Sequence, residues 1–252
     1  MMLNLLGSDK ERDYEQFEIL FNDPAYRPDQ LKIYPCVVTP YSELYDIWKR
    51  GEYVPYTDEE LIELLARIKT IIPIYVRIIR VIRDIPADQI SAGSKMSNMR
   101  QVLQKLVKCR CIRCRQAVSS PMDWDEVELF RLDYEASDNL EVFLSFESRD
   151  RETLYAFLRL RKIEEGLVKL WAEADAVIRE IHTYGPLVPL HQRDSLAVQH
   201  FGLGKKLLRE AERIAREEWK ARRLAVIAGI GAREYFEKEG YKLLKTYMVK
   251  DL

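Results

Sequence analysis

The chain has 252 residues, 47% of them hydrophobic and 32% charged, and a formal net charge of −1 at pH 7. That length supports one large or two modest domains, and the near-neutral charge excludes a globally basic nucleic-acid binder, so any basic surface must be local. No apolar run approaches the ~20 residues of a membrane span, and residues 1–7 lack the charged region of a signal peptide. Four cysteines, three of them crowded together, suit a reducing compartment better than a disulfide framework, and a cytoplasmic protein is expected.

Residues 9–22 predict a polar helix with Tyr14, Phe17, Leu20 and Phe21 on one face. After the turn at Pro24 and Pro28, residues 31–34 read as a short strand that ends at Pro35. Thr57 with Glu60 three residues on makes a capping box. The helix behind it carries a buried stripe of Leu61, Leu64, Leu65 and Ile68 and stops at Pro73. Residues 74–82 form a β-branched strand interrupted by Arg77, Arg80 and Arg83; regular alternation sets Arg77 and Arg83 on one face and Arg80 on the other. Strand, helix, strand in this order suggests a parallel βα architecture, with too little chain for a complete barrel.

Cys109-x-Cys111-x-x-Cys114 places three thiols within six residues, close enough to meet around one tetrahedral ion. The alternative is three reduced thiols on a turn. A closed structural zinc site takes four ligands, so one is missing locally. Cys36 is the sulfur candidate for it, and His182, His191 and His200 are the imidazole candidates. Arg110, Arg113 and Arg115 interleave with the thiols, where they lower thiol pKa values and offer phosphate contacts.

In the second half, residues 132–134 and 142–146 begin a sheet, residues 152–160 lead into its first core strand, and residues 176–185 read as the central strand. His182 and Glu180 on that strand are candidate general bases, each with an equally good reading as a hydrogen-bonded structural group. Residues 188–190 read as a strand end before Gln199-His200-Phe201-Gly202-Leu203-Gly204. Glycines here let the backbone approach a ligand, and the helix that starts at once aims amide N–H groups and its dipole at one spot. Leu207, Leu208, Ala211, Ile214 and Ala215 repeat behind it at helical spacing, followed by a strand at 223–228 and a short helix at 232–239.

Gln-x-x-Gly-x-Gly, amphipathic helix, strand and Tyr-rich short helix together resemble motif A of the GNAT acetyltransferases. In that family the loop holds the pyrophosphate of acetyl-CoA, which assigns Gln199, His200, Phe201, Gly202, Leu203 and Gly204 to cofactor binding. Glu234-Tyr235-Phe236-Glu237-Lys238-Glu239-Gly240-Tyr241 is similar to the family's closing signature. GNAT enzymes also bulge and splay the central strand, a role that Gly185-Pro186 can serve. They often use a Tyr as acid toward the departing thiolate; the usual position is Phe236 here, so the assignment passes to Tyr235 or to water.

The chain as a whole resembles the Elongator catalytic-subunit family, which joins a radical-SAM barrel to a GNAT domain. The resemblance rests on Leu31-Lys32-Ile33-Tyr34-Pro35, Leu44-Tyr45-Asp46-Ile47-Trp48, residues 77–86, the cysteine group, Glu141-Val142-Phe143-Leu144-Ser145-Phe146-Glu147, Leu158-Arg159-Leu160-Arg161, residues 179–185 and Tyr247-Met248-Val249-Lys250. It implies an α/β fold in two parts: the C-terminal part of a radical-SAM-type βα barrel with a zinc-binding linker (residues 1–118), then a GNAT domain (119–252). It further implies acetyl-CoA and tRNA as substrates, carboxymethyl modification of carbon 5 of the wobble uridine in the anticodon stem-loop, structural zinc on Cys109, Cys111 and Cys114, and partners that include a second copy or other Elongator-type subunits. RNA contacts are expected from Arg77, Arg80, Arg83, Lys105, Arg110, Arg113 and Arg115. The family's three spaced cysteines for an iron–sulfur cluster that opens S-adenosylmethionine have no counterpart here, so both are expected only in a longer parent. Two other functions fit the same residues: a GNAT enzyme acetylating protein lysine or a small amine, and a non-catalytic acyl-CoA- and RNA-binding module.

Overall fold

The structure, a computed structural model, describes residues 1–82, 85–118, 124–164, 173–184 and 202–252. The chain divides into two compact units, Met1–Cys114 and Arg115–Leu252. Among the described residues, no helix is long and apolar enough to cross a membrane.

In the first unit β1 (Met2–Leu3), β2 (Gln30–Pro35) and β3 (Arg77–Val81) form a parallel sheet in that order. Helix α1 (Lys10–Asn22) connects the first pair, and α2 (Glu43–Lys49) and α3 (Asp58–Ile71) connect the second. Asp9 caps α1 by accepting from the Arg12 N–H. The helix buries Phe17 and Phe21, while Tyr14 and Leu20 stay half-buried. Asp13 is also buried, accepting from the Asn4 N–H at 2.7 Å and the Ser8 hydroxyl at 2.6 Å. The capping box forms as expected: the Thr57 hydroxyl accepts from the Glu60 N–H, and Glu60 accepts from the Thr57 N–H. Leu61, Leu64, Leu65 and Ile68 are buried, and so is Lys69.

Strand β3 departs from the sequence expectation. Its register against β2 steps from Leu31↔Ile78 to Lys32↔Arg80, leaving Ile79 as an extra residue. Such a bulge breaks the two-residue alternation. Ile79 and Arg80 are consequently both exposed, Arg77 is half-buried, and Arg83 lies outside the described residues. Helix α4 (Met99–Leu106) follows, and a single helical turn, α5 (Ile112–Arg115), holds the last of the clustered cysteines.

The second unit is a seven-stranded sheet in the order β4-β5-β6-β7-β8-β10-β9. Its strands are β4 (Val127–Ala136), β5 (Asn139–Ser148), β6 (Leu154–Lys162), β7 (Ala176–Thr183), β8 (Arg223–Val226), β9 (Lys242–Leu244) and β10 (Tyr247–Asp251). β4 to β7 run antiparallel, and β7 and β8 are the parallel pair. Helix α6 (Leu203–Arg213) lies between those two in sequence, and α7 (Arg233–Lys238) follows β8. The apolar stripe of α6, with Ile214 and Ala215 in a π-helical turn behind it, packs on Leu144, Leu158, Leu160, Ile178 and Val226. Alternate residues of β5 point to the other face and include two fully buried carboxylates. Glu141 is gripped by Arg161 and Arg179, each at 2.9 Å, and Glu147 by Arg115 at 2.8 Å and Arg151 at 2.9 Å.

Candidate functional site

Two properties of β7 build a cleft. Its pairing with β8 runs only from Ala176↔Leu224 to Ile178↔Val226, with one further bond from the Ile227 N–H to the Ile178 carbonyl. Beyond it β7 continues to Thr183 while β8 turns away toward α7, so backbone that a neighbouring strand would cover is left open. Against β6 the register steps from Arg159↔Glu180 to Leu160↔Ile178, which makes Arg179 a bulge. The expected site for the irregularity, Gly185-Pro186, lies outside the described residues.

The cleft, about 250 Å³, is lined by β7 at Ile181–Thr183, by Gly202, Gly204 and Lys205, and by Ala232, Tyr235 and Phe236. Gly202 is the N-cap of α6 in the left-handed conformation (φ +69°, ψ +21°), which a side chain would strain. No side chain caps this end, so the first-turn amides of α6 face the cleft with the positive end of the helix dipole. At Gly204 a Cβ would sit 3.4 Å from the Tyr235 hydroxyl and 3.7 Å from Thr183 Cγ2; glycine keeps the passage open. Lys205, which the sequence offers as an extra cation here, is paired with Glu239. Gln199, His200 and Phe201 lie outside the described residues.

Tyr235 stands in this cleft with its hydroxyl buried and, among the described residues, without a hydrogen-bond partner. Burial, reinforced by the Glu239 charge, pushes its pKa up, so the phenol keeps its proton at neutral pH. Its ring meets Phe236 edge-on at 5.1 Å. Phe236 is 3% exposed and packs in turn on Tyr241, whose hydroxyl donates to Glu212 at 2.9 Å. Phe236 is therefore a core side chain, and Tyr235 is the one of the pair that carries a hydroxyl into the cleft.

Glu180 and His182 are placed differently. Register partners share a face: Leu158 and Ile181 pack on α6, whereas Phe157 and His182, and Arg159 and Glu180, stand on the opposite side. Glu180 accepts from buried Arg159 at 2.9 Å, and the His182 ring is 4.4 Å from that of Tyr184. Glu180 is thus committed to Arg159, away from the cleft, which corrects its assignment as a general base, whereas His182 borders the cleft with its ring turned toward Tyr184.

In the first unit the three thiol sulfurs of Cys109, Cys111 and Cys114 lie within 4.8 Å of one another, an arrangement that fits a single metal ion. The loop is pinned to the segment that enters β3 by the Ile112 N–H bonding to the Val76 carbonyl at 2.9 Å. Hydrogen bonds from Cys109 and Cys114, and one from the backbone at Ile78, lower the Cys111 thiol, while bonds with Cys111 and Cys114 together with burial push Cys109 up. Cys36 does not join them: it is hydrogen-bonded to Tyr53. His182 belongs to the second unit, and His191 and His200 lie outside the described residues.

Of the basic residues, Arg80, Lys105, Arg110 and Arg113 are exposed. Arg115 is 4% exposed and bonded to Glu147, so it cannot meet a phosphate, which corrects its assignment to RNA. Sequence reading also missed Glu141, Glu147 and Arg159 as interior residues. The signal available was their alternation with Val142, Leu144, Phe146, Leu158 and Leu160 along two strands with no polar face to spare.

Residues 28–108 match the Radical_SAM C-terminal domain family. The chain is 42% identical over 265 residues to the tRNA uridine(34) acetyltransferase of Methanocaldococcus jannaschii, covering all of this chain and 49% of that protein. It is likewise 42% identical over 262 residues to the human Elongator complex protein 3, covering 48% of it. The solved structure of the archaeal Methanocaldococcus infernus Elp3 with an N-terminal deletion (1–46) superposes with a TM-score of 0.84 at 40% identity, over all of this chain and 62% of that one. The chain spans about half the length of the curated relatives it matches. Its first unit is part of a radical-SAM-type βα barrel and its second a GNAT acetyltransferase fold. Along its whole length the chain is thus 40–42% identical to these proteins, each of which it covers only in part.

Proposed function

We propose that this chain carries the acetyl-CoA-binding and acyl-transferring part of a tRNA uridine(34) acetyltransferase, acting toward carbon 5 of the wobble uridine in the anticodon stem-loop. The observation that carries this reading is the junction of an uncapped α6 terminus, the splayed backbone of β7 and the buried Tyr235 phenol in one cleft. The amides of Leu203, Gly204 and Lys205 take the pyrophosphate, with Gln199, His200 and Phe201 completing the loop. The open edge of β7 pairs with the amide groups of the pantetheine arm. When the thioester C–S bond breaks, the acyl group passes to its acceptor and Tyr235 donates its proton to the departing sulfur.

Arg77, Arg80, Lys105, Arg110 and Arg113 supply phosphate contacts for the tRNA, with Arg83 beside them in sequence. Cys109, Cys111 and Cys114 hold a structural zinc, which staples its loop to β3 without taking part in the reaction. An iron–sulfur cluster that opens S-adenosylmethionine needs three further cysteines. Only Cys36 remains beyond this group, so the residues present do not fit it and no step is routed through it. The site of action is the cytoplasm, in company with a second copy or other Elongator-type subunits.

The test is acetyl-CoA hydrolysis by this chain, followed as free thiol with and without tRNA. Turnover that requires tRNA is expected. Turnover on lysine or amine acceptors without RNA would replace this reading with an ordinary N-acetyltransferase, and acetyl-CoA binding with silence in both would reduce it to a binding module.

A further inference from the structure

Lys69 is 4% exposed, in the last turn of α3, next to the apolar stripe of Leu61, Leu64, Leu65 and Ile68. Its ammonium nitrogen is buried and, among the described residues, makes no hydrogen bond. Lysine is almost never fully buried unless paired, and an isolated buried ammonium costs several kcal/mol. Among the described protein atoms nothing answers it by a hydrogen bond.

The group within electrostatic reach is the cysteine cluster, where the positive charge of Lys69 acts on Cys114. The local geometry explains why. Helix α3 ends at Ile71, and the cysteine loop is hydrogen-bonded onto Val76 and Ile78 just beyond it. The last turn of the helix and the loop converge on the same short segment. Three sulfurs within 4.8 Å of one another define three corners of a tetrahedron. Among the described residues, no histidine, fourth cysteine or carboxylate joins them.

We propose that the ε-amine of Lys69 is the fourth ligand of the metal held by Cys109, Cys111 and Cys114. On coordination the nitrogen lone pair forms the bond to the metal and the ammonium proton leaves to solvent, as thiol protons do when sulfur binds. Three thiolates and one neutral amine around a divalent ion then carry one net negative charge in place of a stranded ammonium. The four-carbon stem lets the amine reach an ion that a helix-borne histidine at this position would approach less freely. This inference rests on the metal reading of the cluster.

The experiment uses the full chain, with Zn2+ and Co2+ as probes. Wild type is expected to bind one equivalent, and its cobalt form to show the intense visible bands of a tetrahedral site with thiolate ligands. Lys69→Met should weaken zinc retention against a chelator by at least the ~10–100-fold that losing an outer-shell partner costs, and should alter the cobalt bands. The same substitution should raise the melting temperature of the metal-free chain, because it removes the stranded ammonium. Lys69→Arg keeps the charge but cannot ligate, so it should lose metal as Met does. Wild-type affinity and spectrum in either variant would overturn the lysine assignment while leaving the metal reading standing. A wild-type chain that binds neither ion would remove both.

Discussion

Glu141 and Glu147 in the second unit are each held between two arginines at 2.8–2.9 Å, whereas Lys69 in the first unit is also buried and, among the described residues, makes no hydrogen bond. The two arrangements answer the same physical problem, the high cost of a charge removed from water, in opposite ways. A closed network satisfies its charges from within and serves the fold. A group left open in the interior marks a place where something is added. The Tyr235 hydroxyl is an open group of the second unit, and it stands in the cleft at the end of α6.

That contrast sets the order of the predictions. Cys111→Ser, which removes one of three sulfurs lying within 4.8 Å of one another, should abolish zinc retention altogether; metal content by elemental analysis checks it, and a full equivalent of zinc in the variant would break the comparison at once. Glu147→Gln should cost about 3–5 kcal/mol of stability, because it leaves Arg115 buried beside a neutral amide. Denaturant titration would reveal a closed network by that loss, and a change below about 1 kcal/mol would show that the network is as slack as a surface pair.

Gly204→Val should weaken acetyl-CoA binding by at least about tenfold, or about 1.4 kcal/mol, since the new side chain meets the Tyr235 hydroxyl and Thr183. Calorimetry with the wild-type chain as reference measures it. Tyr235→Phe separates the open group from the closed ones most sharply. Deleting a buried hydroxyl with no partner should leave the melting temperature unchanged or raise it. Thioester turnover should nonetheless fall by about 10²-fold, the contribution of a positioned acid. Loss of stability in that variant would mean that the hydroxyl belongs to the fold.

The smallest expected effect is on pH dependence. Burial tends to raise the Glu147 carboxyl, but bonds from Arg151, Ser145 and Arg115 outweigh it and hold its pKa below the ordinary value. A depressed folded-state pKa contributes stability that is fully present above the unfolded value and is lost as pH falls through the folded one. Melting temperature should therefore decline on acidification below the usual carboxylate range, and Glu147→Gln should flatten that decline.

Much of the first unit was legible because its signals are local. The Thr57–Glu60 capping box, the stripe on α3 and the spacing of the three cysteines each lie within a turn or two of chain, and all three appear where expected. Gly202 and Gly204 were legible for the same reason: a turn followed at once by an amphipathic helix is a short-range pattern. The side-chain directions on β7 were not. If that strand were regular, Ile178, Glu180 and His182 would share the face toward α6. The extra residue at Arg179 turns Glu180 and His182 away from it, and no nearby glycine or proline announces the bulge.

By itself, the sequence determined most of the helices and strands, the glycine turn ahead of α6 and the cysteine triplet, because each is specified by residues close together in the chain. Only the tertiary structure decided which faces those residues share. It buried Arg115 against Glu147, kept Cys36 apart from the other thiols, set Tyr235 over Gly204 and turned Lys69 inward. Each of those outcomes depends on strand register or on contacts between segments distant in the chain. A long polar side chain has no fixed preference until packing removes its water.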